Sequence, residues 1–304
     1  MIRVLVTGAR GQVGGEVARL LHGRAEVVAH DRSTLDLAQP RAIVERVREA
    51  RPRLIVNAGA YTAVDRAEAE IDAARAVNAR APEVLAEEAR RSGALLVHYS
   101  TDYVFDGTKE APYVEDDSPA PVNAYGATKL EGERAVAASG CAHVILRTSW
   151  VYGPRGRNFM RTMLAAAKTR RELRVVDDQR GAPTTSLALA RATLAMVGAV
   201  AGTGEIAEEG IERAASLAGL YHATAAGETT WFGFARAIFE EWAARVGPSF
   251  SPPAVSPIPT KDYPTPARRP ANSVLSNERL ARELGVRLPP WREGLAEAIS
   301  LVDA

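Results

Sequence analysis

Short, nearly unbroken apolar runs recur along the first half of the chain, separated by longer mixed stretches. The runs lie at residues 2–6, 26–30, 54–57, 94–99 and 142–146, and Leu54-Ile55-Val56 is the plainest of them. Apolar runs of this length without alternation suit strands covered on both faces, as in a parallel sheet. The stretches between them read as helices: to about Leu21, over roughly 40–50, over 67–91 with a bend near Pro82, and from Tyr125 to about Ala138. Strand and helix in turn predict an α/β chain with a doubly wound parallel sheet.

After about residue 153 the alternation loosens. Phe159–Lys168, Ser186–Val200 and Thr230–Arg245 read as helical, the last behind a Thr cap, and Leu173–Val176 and Gly219–Ala223 as extended. Residues 276–284 and 291–302 close the chain as helices. Residues 248–270 hold eight of the eighteen prolines and predict a rigid loop over a partner surface or a ligand. The expected division is a domain over 1–153 and a smaller α/β region over 154–304 that returns some elements to the first.

Composition narrows the classes. With 304 residues, 46% of them hydrophobic, the chain can bury a sizeable core. Against 37 Asp and Glu stand 38 Lys and Arg, so no global field points to nucleic acid or a membrane surface. One cysteine, Cys141, excludes an intrachain disulfide and a Cys-based zinc site, and it reads as a small buried apolar residue. The five histidines show no metal-ligand spacing. The first residues enter a strand at once, without a signal-peptide layout, and no apolar run nears the ~18 residues of a membrane span. The expectation is a cytoplasmic protein.

Candidate chemistry begins at Thr7-Gly8-Ala9-Arg10-Gly11-Gln12-Val13-Gly14. Glycines at this spacing, after a strand and opening a helix, allow a tight turn and offer free N–H groups to a diphosphate. This predicts a dinucleotide-binding loop. At the end of the second strand, Asp31 suits ribose hydroxyls and so NADH, whereas Arg32 suits a 2′-phosphate and so NADPH. Asp36, before Leu37, reads as an N-cap candidate for the next helix. The small residues Ala58, Gly59 and Ala60 end a strand where backbone must pass close to a cofactor. Ser100-Thr101-Asp102 ends another with hydrogen-bonding groups at the ligand-binding edge of an open sheet. Tyr125-Gly126-Ala127-Thr128-Lys129 places a phenol and an ammonium one helical turn apart. The ammonium is expected to lower the tyrosine pKa toward the working range, so that the pair can exchange a proton with a hydroxyl or carbonyl oxygen.

Together these motifs resemble the extended short-chain dehydrogenase/reductase superfamily, and within it the dTDP-4-dehydrorhamnose reductase family. The resemblance spans nearly the whole chain. It rests on the loop 7–14, Asn57–Glu68, His98–Gly107, Tyr125–Lys129, Arg147–Tyr152, Asp178–Thr184 and Tyr263–Pro270. It implies a Rossmann-type sheet with a smaller substrate-binding region, NADPH or NADH as cofactor, and a dTDP-sugar as substrate. It also implies site residues. Thr101, Tyr125 and Lys129 would form the catalytic triad, with Thr in the place more often held by Ser. Gly11, Gln12 and Val13 would hold the diphosphate, with Asp31, Asp36 and Leu37 toward the adenosine and Ala60, Tyr61 and Thr62 lining the cofactor. Asp102, Tyr103 and Trp150 would contact the sugar, and Arg268 and Arg269 are candidates for the substrate diphosphate, which guanidinium binds bidentately. Relatives differ in whether they form homodimers, some bridged by magnesium, and no ligand cluster here carries that bridge over. Two other readings stay open: a nucleotide-sugar 4-epimerase or other 4-ketoreductase of the same superfamily, and a cofactor-binding regulatory subunit without catalysis.

Overall fold

The computed structural model describes residues 1–198 and 206–302. Six parallel strands make the central sheet: β1 (Arg3–Thr7), β2 (Glu26–His30), β3 (Leu54–Asn57), β4 (Leu95–Thr101), β5 (His143–Thr148) and β10 (Gly219–His222). Their order is β10-β5-β4-β3-β1-β2. The winding reverses between β1 and β3, which opens a crevice at the carboxyl ends of those strands. β3 and β4 are buried throughout, and β2, at the sheet edge, is half exposed. That difference is why the inner runs are apolar while β2 tolerates Glu26 and His30.

Side-chain alternation splits each strand between two cores. Val4, Val6, Leu54, Val56, Val97, Val144 and Leu146 pack with α1 (Gln12–Leu21), α8 (Ser186–Met196) and α9 (Glu208–Ser216). Leu5, Ile55, Leu96 and Ile145 face α2 (Pro40–Ala50), α5 (Ala81–Ser92) and α6 (Ala124–Ala138). The expected helix over 67–91 is broken instead. Val64–Ala67 (α3) and Ile71–Arg75 (α4) are short, and residues 76–80 widen into a π-turn before α5. Pro82 has no N–H to give the Asn78 carbonyl, so the α pattern cannot run through it.

Three two-stranded pairs follow the sheet. β6 (Val151–Tyr152) pairs β9 (Thr184–Thr185), β7 (Glu172–Val176) pairs β12 (Ala254–Ile258), and β8 (Arg180–Gly181) pairs β11 (Thr229–Thr230). Helices α7 (Phe159–Ala167), α10 (Trp231–Val246) and α11 (Trp291–Ser300) enclose a core of Met160, Leu164, Leu173, Phe234, Ile238 and Leu295. Thr230 caps α10 by accepting from Gly233 N, as the Thr cap predicts. The helix expected over 186–200 ends at Met196, and residues 199 and 200 lie outside the described residues. Part of the proline-rich segment is strand β12; the rest is a loop tied to the first region where Asn123 Nδ2 donates to Arg268 O at 2.8 Å. Among the described residues no helix is long and apolar enough to cross a membrane.

Candidate active site

The Gly-rich loop turns sharply at the end of β1. Gly8 has φ +68°, and a Cβ there would lie 2.8 Å from Gly59 N and 2.9 Å from Ala58 C and O, so only glycine lets the loop press against the end of β3. α1 then starts at Gln12 behind Gly11, with no side-chain cap and no acidic residue in its first turn. Its first N–H groups are left for an anion. Val13 and Gly14 lie in this turn, Val13 against the core. The Gln12 side chain is a strut: it donates to Val151 O at 3.4 Å and accepts from Asn158 Nδ2 at 2.9 Å, joining the loop to the segment after β5.

At the end of β2, Asp31 Oδ1 accepts from Ser33 N and Oγ at 2.8 and 2.5 Å, and Oδ2 pairs with Arg10 Nε at 2.7 Å. The Ser33 hydrogen bonds, with Arg10 beside them, hold the Asp31 carboxyl below its usual range. Arg32 is exposed. Asp36 accepts from Ala38 N at 3.0 Å, but the N-cap of α2 is Gln39, so the capping alternative for Asp36 fails. Leu37 is buried against Gly59. Beyond β3, Ala60, Tyr61 and the exposed Thr62 lead toward α3. The Tyr61 hydroxyl donates to Glu70 at 2.5 Å, and its backbone N–H and C=O both bond the buried side chain of Asn78.

The phenol and hydroxyl of the expected triad meet at the carboxyl end of β4. Asn123 caps α6 by accepting from Gly126 N at 2.8 Å, and a Cβ on Gly126 would sit 2.0 Å from Tyr103 O. That close approach brings Tyr125 edge-on to Tyr103, ring centroids 5.8 Å apart, beside Thr101. Thr101 Oγ1 accepts from Tyr103 N and donates to Asp102 Oδ1, both at 3.2 Å. Burial pushes the Tyr125 phenol up to about 12, while the Thr101 hydroxyl pulls the other way. Lys129 does not lower it as its spacing predicts. Its Nζ is turned into the sheet, 2.6 Å from Tyr99 O and 3.3 Å from His98 Nε2, and burial brings its own pKa down to about 8. The arrangement therefore presents a protonated phenol beside a hydroxyl, above a buried lysine.

The other expected side chains differ in setting. Asp102 is buried with Oδ2 unpartnered, and burial raises its pKa to about 7. Burial and the neighbouring Asp102 carboxylate raise Tyr103. Trp150 sits in the left-handed region, φ +47°, rare for so bulky a residue and a mark of functional sites. Its indole stacks on Trp231 at 3.6 Å and 9°, a wall of the second region. Arg268 is exposed, whereas Arg269 is largely covered and pairs with Asp65. Three features escaped the sequence reading: Asn78, Trp231, and a buried bidentate pair in which Arg147 donates to Glu133 at 2.9 and 2.7 Å. Glu133 follows Tyr125 and Lys129 at four-residue spacing, the one sequence signal that marks it.

A doubly wound nucleotide-binding fold with a Tyr-x-x-x-Lys pair at its carboxyl edge defines a dehydrogenase/reductase class, and comparison with known proteins narrows it. The family model "RmlD substrate binding domain" matches residues 2–303. A dTDP-4-dehydrorhamnose reductase of Burkholderia thailandensis is 51% identical over 296 residues, 96% of each chain. A crystal structure of the dTDP-4-dehydrorhamnose reductase of Clostridium acetobutylicum superposes with a TM-score of 0.87 at 38% identity, over 99% of both chains. The Bacillus anthracis reductase, in complex with NADP, gives 0.87 at 35%, over 98% of this chain and 99% of that one. The chain belongs to the dTDP-4-dehydrorhamnose reductase family.

Proposed function

We propose that this chain is a cytoplasmic reductase that passes hydride from NAD(P)H to the C4 carbonyl of dTDP-4-dehydro-L-rhamnose, giving dTDP-L-rhamnose. The observation that carries the reading is the meeting of Thr101 and Tyr125, over Lys129, at the same sheet edge as the bare N-terminus of α1. The residues fit a dinucleotide: the glycine cradle at Gly8, which any Cβ would fill, and the uncapped first turn of α1 suit a diphosphate. The cofactor supplies the hydride when bound. Gln12, Val13 and Gly14 would hold its diphosphate through backbone N–H groups, and Gly11, whose own N–H closes the turn on Gly8 O at 2.7 Å, would let the chain pass close to it. Asp31, Asp36 and Leu37 lie toward the adenosine, and Ala58, Ala60, Tyr61 and Thr62 line the rest. The Bacillus anthracis structure with NADP supports a nicotinamide dinucleotide at this site.

Tyr125 gives its phenol proton to the oxygen that becomes the C4 hydroxyl. A phenol whose pKa is raised stays protonated at neutral pH, which suits a donor. The Thr101 hydroxyl bonds the same oxygen as charge develops on it. Lys129, one turn on in the same helix, would hold the nicotinamide ribose. Asp102, Tyr103 and Trp150 border the sugar, and Arg268 and Arg269 face its diphosphate. The test is oxidation of NADH and NADPH with dTDP- and UDP-linked 4-keto sugars, with turnover expected for the dTDP-linked 4-keto-6-deoxyhexose. A protein that keeps NAD bound and interconverts C4 epimers is an epimerase, and one that oxidises no cofactor with any keto sugar is a binding subunit.

A further inference from the structure

Once the reacting groups are placed, one buried polar line is left over. Thr7, Asn57 and His98 are register partners on β1, β3 and β4, in the same alternation as Leu5, Ile55 and Leu96, so their side chains lie on the face that carries α6. Each is at most 1% exposed. Gly59 N–H donates to Thr7 Oγ1 at 3.1 Å, Thr7 Oγ1–H donates to Asn57 Oδ1 at 2.7 Å, and Asn57 Nδ2 meets His98 Nδ1 at 2.9 Å. His98 Nε2 then lies 3.3 Å from Lys129 Nζ, which donates to Tyr99 O. The line runs unbroken from the Gly-rich loop to the lysine of the site.

It also has a direction. Thr7 Oγ1 accepts the Gly59 N–H and donates to Asn57 Oδ1, which leaves the amide nitrogen to face His98. His98 Nδ1 is then an acceptor, and the hydrogen of the neutral imidazole sits on Nε2, facing Lys129. An Nε2–H meets an amine lone pair well and an ammonium badly. For Lys129 to be charged in good contact, the Asn57 amide must turn over, His98 must carry its hydrogen on Nδ1, and the Thr7 hydroxyl must give up its acceptor. We propose that His98, oriented by Asn57 and Thr7, is a positioning residue that pins the Lys129 nitrogen and sets its protonation state. The catalytic consequence rests on the reductase reading, while the linkage itself does not.

Glu133, one turn on in α6, favours the ammonium and is itself paired with Arg147 of β5. Tyr125 stands one turn earlier beside Asp102. His143, at the start of β5, bears on His98, which burial keeps neutral. From the α4–α5 side the facing group is the uncharged Asn78, bonded to Thr128.

The chain has four lysines, so ¹³C labelling at lysine Cε gives a spectrum simple enough to follow Lys129 through a pH titration without substrate. Asn57→Leu and Thr7→Val each release the direction of the line. In both, the proton affinity of Lys129 should rise about tenfold, the scale of one hydrogen bond, and the kcat–pH profile should move with it. Thr7→Ser, which keeps the hydroxyl, should titrate like the unaltered protein. An unmoved Lys129 midpoint in either of the first two variants, with an unchanged circular dichroism spectrum, overturns the proposal. Absence of keto-sugar turnover in the unaltered enzyme removes the reductase reading instead and leaves the resonance result to stand by itself.

Discussion

Arg269 Nη2 stands 2.9 Å from Asp65 Oδ1, and the same carboxylate oxygen accepts from Ala267 N at 3.2 Å. The pair ties the proline-rich loop to α3 and leaves one guanidinium, Arg268, exposed beside it. If Arg269 clamps the substrate diphosphate, Arg269→Ala raises KM for the dTDP-sugar by roughly 1–3 kcal/mol, a lost charged hydrogen bond, without moving the NAD(P)H Kd. Asp65→Ala, which frees the guanidinium, should cost less than Arg269→Ala. Calorimetry with dTDP on both variants checks this, and equal losses would mean that the pair only holds the loop.

Tyr125→Phe removes the proton donor and leaves its ring edge-on to Tyr103. kcat should fall by roughly 10²–10⁴-fold, the usual range for a general acid, with NAD(P)H affinity little changed. Steady-state kinetics and cofactor fluorescence titration measure the two quantities, and near-normal turnover would take Tyr125 out of the reaction.

Lys129 is 2% exposed, and burial lowers its pKa from 10.5 to about 8. Unfolding restores the higher value, so between about pH 8 and 10.5 the unfolded chain binds the additional proton and stability rises with pH across that window. Below about 8 both states are charged and the folded protein bears the whole burial penalty. Lys129→Met should therefore unfold at higher temperature at pH 7, by the equivalent of roughly 1–2 kcal/mol, and lose most of its turnover. Thermal melts across pH 7–11 test the sign.

Asp31 is shared between its own turn and Arg10, whose side chain is 83% exposed and swings from the Gly-rich loop. Asp31→Ala removes a carboxylate that repels a 2′-phosphate and also releases Arg10. The ratio of kcat/KM for NADPH over NADH should rise about tenfold or more, one charge contact's worth. Arg10→Ala should lower it, and an unchanged ratio in both variants would place the discriminating contact elsewhere.

Much of this molecule could be read from the order of its residues, because the signals are local. An apolar run such as Leu54-Ile55-Val56 cannot face water on either side, and glycines between a strand and a helix have few uses besides a tight turn. Tyr125 and Lys129 share a helix face by arithmetic alone. What that arithmetic could not decide was where their polar atoms point. Lys129 turns to Tyr99 O and His98, and the depression of the Tyr125 pKa that its spacing predicts is replaced by a rise from burial. The break in the 67–91 helix was half legible in Pro82, but the Asn78 side chain that pins Tyr61 was not. The stacking of Trp231 on Trp150 joins residues 81 positions apart, and the line Thr7–Asn57–His98–Lys129 crosses three strands and a helix. Periodicity tells which face of an element is buried. Which polar atom meets which depends on strand order and register, and these are settled only when the separate apolar faces close on one another.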